Sequence, residues 1–266
     1  MNMKRDHPSP RALVSAMRDL SAIEPPASLL PAVLRLTDLA DTFLPLETAV
    51  GNVFIAWNSR GISAVRRQED AAMFARDFTT QYQRRVIESD ARTASALRPA
   101  LEATLRGERK APLPFDLHTL TDFEQAVLRK ALDIPRGQVR PYGWIAREIG
   151  HPRAMRAVGS ALKHNPIPLL IPCHRVVLSD GHLGQYAMGG TNIKRALLAV
   201  EGAEPDVLET LAEQHVQFFG SETTDVFCFP TCRHARRVAP EHRVMFSSAR
   251  EAEVRGYRPC KVCRPA

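Results

Sequence analysis

One cysteine in this chain stands apart from the other four. Cys173 lies in Ile-Pro-Cys-His-Arg-Val (171–176), whereas Cys228, Cys232, Cys260 and Cys263 crowd the last 39 residues as Cys-x3-Cys and Cys-x2-Cys. In a reducing compartment the clustered four read as a metal site rather than as disulfides. Two short pairs with 27 residues between them supply four thiolates, which suits a tetrahedral structural zinc. That leaves one unpaired thiol beside a histidine, and the arithmetic favours a nucleophile. Free cysteine has a pKa of about 8.5, so little of it is ionised at neutral pH and something must take its proton. His174 is the adjacent candidate. Neighbours on an extended strand point to opposite faces, however, so a direct Cys-His contact is not expected from spacing. A cysteine taken alone is more often buried and inert, and the surrounding residues have to decide.

Those residues, Pro141 to Val177, read as a helix pair feeding into the cysteine. Tyr142–Ile149 carries Trp144, Ile145 and Ile149 at helical spacing, and Gly150 closes it. Pro152 suits the first turn of a second helix running to about His164. Two short helices around a tight Gly-containing turn are the helix-turn-helix pattern. The second is slim: Ala157, Gly159, Ser160 and Ala161 surround Arg156, so its backbone can approach a groove closely. Asn165-Pro166 breaks it, and an apolar run, Ile167 to Ile171, leads to Cys173.

The set Arg-Ala-Val-Gly (156–159), Asn-Pro (165–166), Ile-Pro-Cys-His-Arg-Val (171–176) and Leu-Leu-x-x-Glu-Gly ending at Gly202 closely resembles the methylated-DNA–protein-cysteine methyltransferases. The resemblance spans roughly residues 45 to 203. It implies irreversible, stoichiometric transfer of a methyl or larger alkyl group from the 6-oxygen of guanine in double-stranded DNA to Cys173. It also implies a relay from Cys173 through a bridging water to His174 and Glu201, with Asn165 bracing the turn that presents the thiol. By the same match Arg156 enters the duplex in place of the flipped base, Ala157 and Gly159 lie against DNA, Tyr142 rotates the 3′ phosphate and Tyr186 lines the guanine pocket. A thiol in a pocket needs the base out of the stack, and small residues beside Arg156 fit a narrow minor groove.

The pattern Phe-Cys-x-Pro-x-Cys…Gly-Tyr-Arg-Pro-Cys-x-x-Cys-Arg-Pro resembles the zinc domain of Ada-type adaptive-response proteins. That resemblance implies a Zn2+ cofactor on Cys228, Cys232, Cys260 and Cys263, with Cys228 a second acceptor, for methyl from backbone phosphotriesters. So small a segment has too little core to fold alone, and the metal supplies the missing stability. A purely structural zinc is the competing reading. In Ada-type proteins the zinc domain precedes the guanine-directed domain, whereas here it follows.

At 266 residues, 44% hydrophobic and 24% charged, the composition is that of an ordinary globular chain. A formal charge of +7 and a pI near 9.5 suit a polyanionic partner. Arg136, Arg140, Arg147, Arg153, Arg156, Lys163 and Arg175 crowd the helix-turn-helix, where Glu148 is almost the only acid. With no signal-peptide-like start and no apolar run of spanning length, a cytoplasmic protein without a membrane partner is expected, as a monomer.

Five segments follow: a helical extension (1–45) with helices over Arg11–Leu20 and Leu29–Phe43; a small α/β (α+β) subdomain (46–115); a winged-helix-like helix-turn-helix alkyltransferase domain (116–203); a linker (204–225); and a small four-cysteine zinc module (226–266). In the second, Val53–Trp57 and Ile62–Arg66 flank a hairpin signal, Asn-Ser-Arg-Gly, before helices at about Glu69–Tyr82 and Thr93–Arg106. In the third, Thr121-x-x-Glu124 is a capping box for a helix to about Leu132, and Thr191 caps a last helix through Val200. Two other functions compete. One is a DNA-binding alkylation- or redox-sensing regulator without repair activity; the Arg156, Asn165, Cys173, His174 and Glu201 set is more than binding needs. The other is a Cys/His hydrolase, which would turn over and has little use for an arginine-rich helix pair.

Overall fold

A computed structural model describes Val14, Pro26, residues 29–108 and residues 113–265. The expected helix Arg11–Leu20 lies outside the described residues, apart from Val14. Helix α1 (Leu29–Leu36) is followed by strands β1 (Ala40–Thr48), β2 (Gly51–Asn58) and β3 (Gly61–Arg67). Helix α2 (Ala71–Tyr82), strand β4 (Arg85–Glu88) and helix α3 (Ala91–Arg106) complete this part. The sheet order is β3-β2-β1-β4, antiparallel except where β4 runs parallel to β1.

Both faces of this sheet are buried. Phe43, Phe54 and Ala64 pack under Phe74 and Phe78 of α2, while Leu44, Leu46, Val53 and Ile55 face Leu101 of α3 and the main core. That explains a correction. Leu29–Phe43 is not one helix: it stops at Leu36, where Asp38 adopts φ 58° and Leu39 N–H returns to Leu34 O at 3.0 Å. Ala40–Phe43 then belongs to β1, because a strand covered on both sides needs no polar alternation and mimics a buried helix. The boundary at 45 therefore cuts a strand; the sheet begins at Ala40.

Helix α4 (Asp122–Leu132) opens on the expected capping box, with Thr121 and Glu124 bonded reciprocally. Strand β5 (Arg140–Pro141) leads into the helix pair α5 (Tyr142–Glu148) and α6 (Met155–Lys163), joined through Gly150 at φ 79°. Pro152 lies in the connecting turn, three residues ahead of α6, rather than in the helix. Cys173–Arg175 is a single 3-10 turn, not the end of an extended strand, and strand β6 (Val176–Val177) then pairs in parallel with β5. Helix α7 (Gly190–Val200) starts after Gly189, not at a Thr191 cap; Thr191 Oγ1 instead donates to Gly184 O at 3.2 Å.

The expected linker is structured. It contains helix α8 (Pro205–Glu213), whose Leu208 packs with Val177, Leu183 and Leu198, and strand β7 (Phe218–Ser221). With β8 (Val226–Cys228), β9 (Arg243–Phe246) and β10 (Arg258–Pro259), and with helix α9 (Ala249–Val254), β7 builds a second sheet of order β10-β8-β7-β9. Its core is aromatic: Phe218 meets Phe227 and Phe229, and Phe246 meets Tyr257. Among the described residues no helix is long and apolar enough to cross a membrane.

Phe74 is fully buried and touches the rings of Phe43, Phe54 and Phe78. Phe74→Ala is expected to lower stability by about 3–5 kcal/mol, read as a fall in the urea midpoint at unchanged slope.

Candidate active site and metal centre

Cys173 is buried at the edge of a cavity of about 790 Å3 that runs from the C-terminal end of α6 (Lys163, Asn165) to β3 and the 187–188 loop. The Asn165 amide donates to Cys173 Sγ at 3.2 Å and to Ile171 O at 3.1 Å, while its Oδ1 accepts from Ile167 N–H at 2.9 Å. One buried side chain thus closes the loop between α6 and the 3-10 turn and touches the sulfur as well. Burial pushes the Cys173 thiol up, against the Asn165 hydrogen bond and the charge of Lys194. A thiol so placed needs a base.

His174 does not bond Cys173 directly. Its Nε2 lies 3.0 Å from Glu201 Oε1, and its buried Nδ1 has no partner among the described residues. Burial pushes its pKa below the ordinary 6.5, with the Glu201 hydrogen bond and charge opposing, so the ring is neutral near pH 7. Glu201 also accepts from Arg175 Nε at 2.8 Å and from Arg175 Nη2 at 2.7 Å. Burial raises the Glu201 pKa, but the His174 and Arg175 donors prevail and pull it to about 2. The carboxylate stays ionised and fixes the imidazole with Nδ1 free to accept. Tyr186 is buried beside Cys173 and edge-on to His174, 6.1 Å between ring centroids.

On the helix pair, Arg156 and Ala157 are exposed and Gly159 is half-buried, its α-carbon side facing Tyr142. Arg153 and Lys163 are exposed as well. Four of the seven basic residues counted toward a polyanion bond to, or are buried in, the protein itself. Arg175 pairs with Glu201; Arg136 donates to Leu105 O and Val200 O; Arg147 donates to Pro265 O; and Arg140 is buried.

Cys228, Cys232, Cys260 and Cys263 are all buried, with their sulfurs within 4.8 Å of one another. A tetrahedron of sulfurs about 2.3 Å from a metal has edges of about 3.8 Å, so the cluster fits zinc with little adjustment. Within the cluster, hydrogen bonds with Cys228 and Cys263 pull the Cys232 thiol down, while those with Cys232 and Cys263 push the Cys228 thiol up. The four cysteines are suited to hold Zn2+, which would tie β8, the 228–232 turn and the C-terminal segment together.

Two family descriptions match the chain: the DNA-binding domain of 6-O-methylguanine DNA methyltransferase over residues 122–203, and the metal-binding domain of Ada over residues 211–266. The methylated-DNA–protein-cysteine methyltransferase of Methanosarcina barkeri is 37% identical over 163 residues, 59% of this chain and 94% of that protein. The chain belongs to the methylated-DNA–protein-cysteine methyltransferase family. The Mycobacterium tuberculosis member is 54% identical over 81 residues, 30% of this chain; the chain spans about half that relative's length, 48%. The crystal structure of Mycobacterium tuberculosis OGT in complex with DNA is 33% identical, covers 63% of this chain and 98% of that chain, and superposes with a TM-score of 0.49.

Two residues near this family's cysteine motif escape a reading of the sequence. Arg175 stands inside the motif but reads as surface charge. Lys194 is 1% exposed; its Nζ donates to Val176 O at 2.6 Å and to Leu183 O, and burial pushes its pKa down to about 8 against the pull of Cys173. Its place four residues before the buried Leu198, on one helix face, is the available signal.

Glu201 makes the fold's stability depend on pH. A folded pKa of about 2 against an ordinary 4.5 stabilises fully above the unfolded value, and that contribution is lost as pH falls from 4.5 through about 2. Glu201→Gln is expected to be less stable than wild type at neutral pH and to lose less on acidification, so chemical-denaturation curves of the two converge at low pH.

Proposed function

We propose that this chain is a DNA-repair protein that transfers a methyl or other alkyl group from the 6-oxygen of guanine in duplex DNA to Cys173, once per molecule. The observation that carries the reading is the convergence on one buried thiol: Asn165 on the sulfur, a neutral His174 fixed by Glu201, and an open cavity beside the helix pair. The thiol proton leaves through a bridging water to His174 Nδ1. Sulfur attacks the alkyl carbon as the carbon–oxygen bond breaks, the bonding pair stays on guanine, and the proton is returned to the base. A thioether is a poor leaving group, so the protein is consumed.

In this reading Arg156, exposed on α6, fills the space of the extruded base, with Ala157 and Gly159 letting the helix approach the minor groove. Tyr142 lies by the backbone phosphate and Tyr186 against the guanine. The partner is double-stranded DNA and the working unit a monomer. A second acceptor role for Cys228 is supported by a cleft of about 600 Å3 that reaches Cys228 and Cys260 and is lined by Arg237, Arg258 and Lys261, cations suited to a DNA backbone.

Intact-protein mass after incubation with a duplex carrying one 6-O-methylguanine tests the reading. Wild type is expected to gain one methyl and Cys173→Ala none, while His174→Ala slows the transfer about 10²–10⁴-fold. Absence of any gain by zinc-loaded, DNA-binding wild type would sink it. Arg156→Ala is expected to slow transfer from duplex DNA while leaving reaction with the free alkylated base unchanged, measured in parallel. A duplex with methylphosphotriesters, offered to Cys173→Ala, tests Cys228: one methyl there, none in Cys173→Ala/Cys228→Ala.

A further inference from the structure

Between the helix pair and the cysteine-bearing turns lies a buried guanidinium. Arg140 is 3% exposed. Its Nη1 donates to Val139 O at 2.7 Å and its Nη2 to Gln138 Oε1 at 2.6 Å, while its Nε is buried without a partner among the described residues. The group lies 5.1 Å from the ring centroid of Phe229, next in sequence to Cys228, and 5.8 Å from that of Trp144. Trp144 Nε1 donates to Cys263 O at 2.9 Å, and Val139 N–H donates to Thr231 Oγ1, beside Cys232, at 3.0 Å. Residues tied to both cysteine pairs therefore enclose Arg140.

Neither hydrogen-bond acceptor of this guanidinium is a charged group. Burial pushes its pKa down, and the largest charges opposing that are the sulfurs of Cys263, Cys232, Cys228 and Cys260. A buried cation without a counter-anion is strongly destabilising, and so is a buried anion without a cation. Four thiolates on one dication carry a net double negative charge. The two requirements answer each other across the domain boundary.

We propose that Arg140 is the outer-sphere counter-cation of the C-terminal metal centre, and that the metal, through it, holds the helix pair in the position that serves Cys173. The proposal rests on zinc binding by the four cysteines. Arg140 opens β5, which pairs with β6 directly after the Cys173–Arg175 turn, in the register Arg140–Val176 and Pro141–Val177. From β5 the chain enters α5, and α5 is fastened to the metal loop three more times. Trp144 bonds Cys263 O, Arg147 donates to Pro265 O at 3.0 Å, and Glu148 pairs with Arg264. Losing the metal frees Cys263 and leaves Arg140 uncompensated, and both consequences fall on α5 and β5. Cys173 holds no metal, yet its reaction depends on one.

The test uses the full-length holoprotein carrying Trp57→Phe, which leaves Trp144 as the single tryptophan. Zinc release to a chromophoric chelator is expected to be about 10- to 100-fold faster in Arg140→Met than in the parent, with Arg140→Lys between the two. Stripping zinc from the parent is expected to shift Trp144 emission and to slow single-turnover methyl transfer, and added zinc restores both. Equal release rates in the Met variant and the parent overturn the proposal. So does zinc removal that leaves Trp144 emission and the transfer rate unchanged. If Arg140→Met does not fold, Arg140→Lys and the stripped parent decide. A parent without zinc in native mass spectrometry overturns the metal assignment and this proposal together. A zinc-loaded parent that accepts no methyl overturns the repair reading alone, and release rate and Trp144 emission still decide the role of Arg140.

Discussion

Glu201 is the point on which the site's geometry depends. One carboxylate at the C-terminal end of α7 receives His174 and Arg175 from the 3-10 turn, and lies 3.4 Å from Gly137 N–H. Gly137 has φ 71°, and a Cβ there would fall 2.7 Å from Glu201 O, so only glycine lets the turn ahead of β5 pass so close. Arg136 adds a bond to Val200 O at 2.8 Å. Helix α7, the cysteine turn and the entry to the helix pair are thus pinned to one another within a few residues. Low dielectric strengthens each of these bonds, and makes the loss of any one felt by the rest.

Legibility follows how local the determinants are. The Cys173 motif, the helix pair, the capping box at Thr121 and the cysteine cluster are all readable, because each is written in a short stretch with its own chemistry; the 3-10 turn at Cys173 is not, since the preceding apolar run reads as an extended strand. The first four residues of β1, Ala40–Phe43, read falsely as helix, since burial on both faces erases the alternation that marks a strand. Helix α8 and strand β7 read as a linker, since their partners, Leu183 and Leu198 for one and β8 and β9 for the other, lie elsewhere in sequence.

Charge is the least legible property. Counting arginines near the helix pair points to a polyanion, but Arg136, Arg147 and Arg175 end on carbonyls or on Glu201, and Arg140 is buried with bonds to Val139 O and Gln138 Oε1. No spacing rule separates an arginine that meets a phosphate from one that meets a carbonyl. Lys194 makes the same point from the other side: a lysine in a helix usually belongs to the surface, yet two carbonyls hold this one inside.

Helix α8 changes what kind of object this chain is. His182 Nδ1 lies 2.6 Å from Glu209, Leu183 N–H donates to the same carboxylate, and Ala212 packs against Gly181. The stretch between the two matched family regions is therefore mortared into the loop that follows the cysteine turn, with Arg236 donating to Gly137 O at 2.6 Å nearby. Modules strung on a flexible tether can be shuffled, duplicated or reversed by recombination with little loss. Two that share a wall cannot, and the order of four-cysteine cluster after cysteine turn is here an architectural commitment: transplanting either half means carrying its neighbour's masonry along.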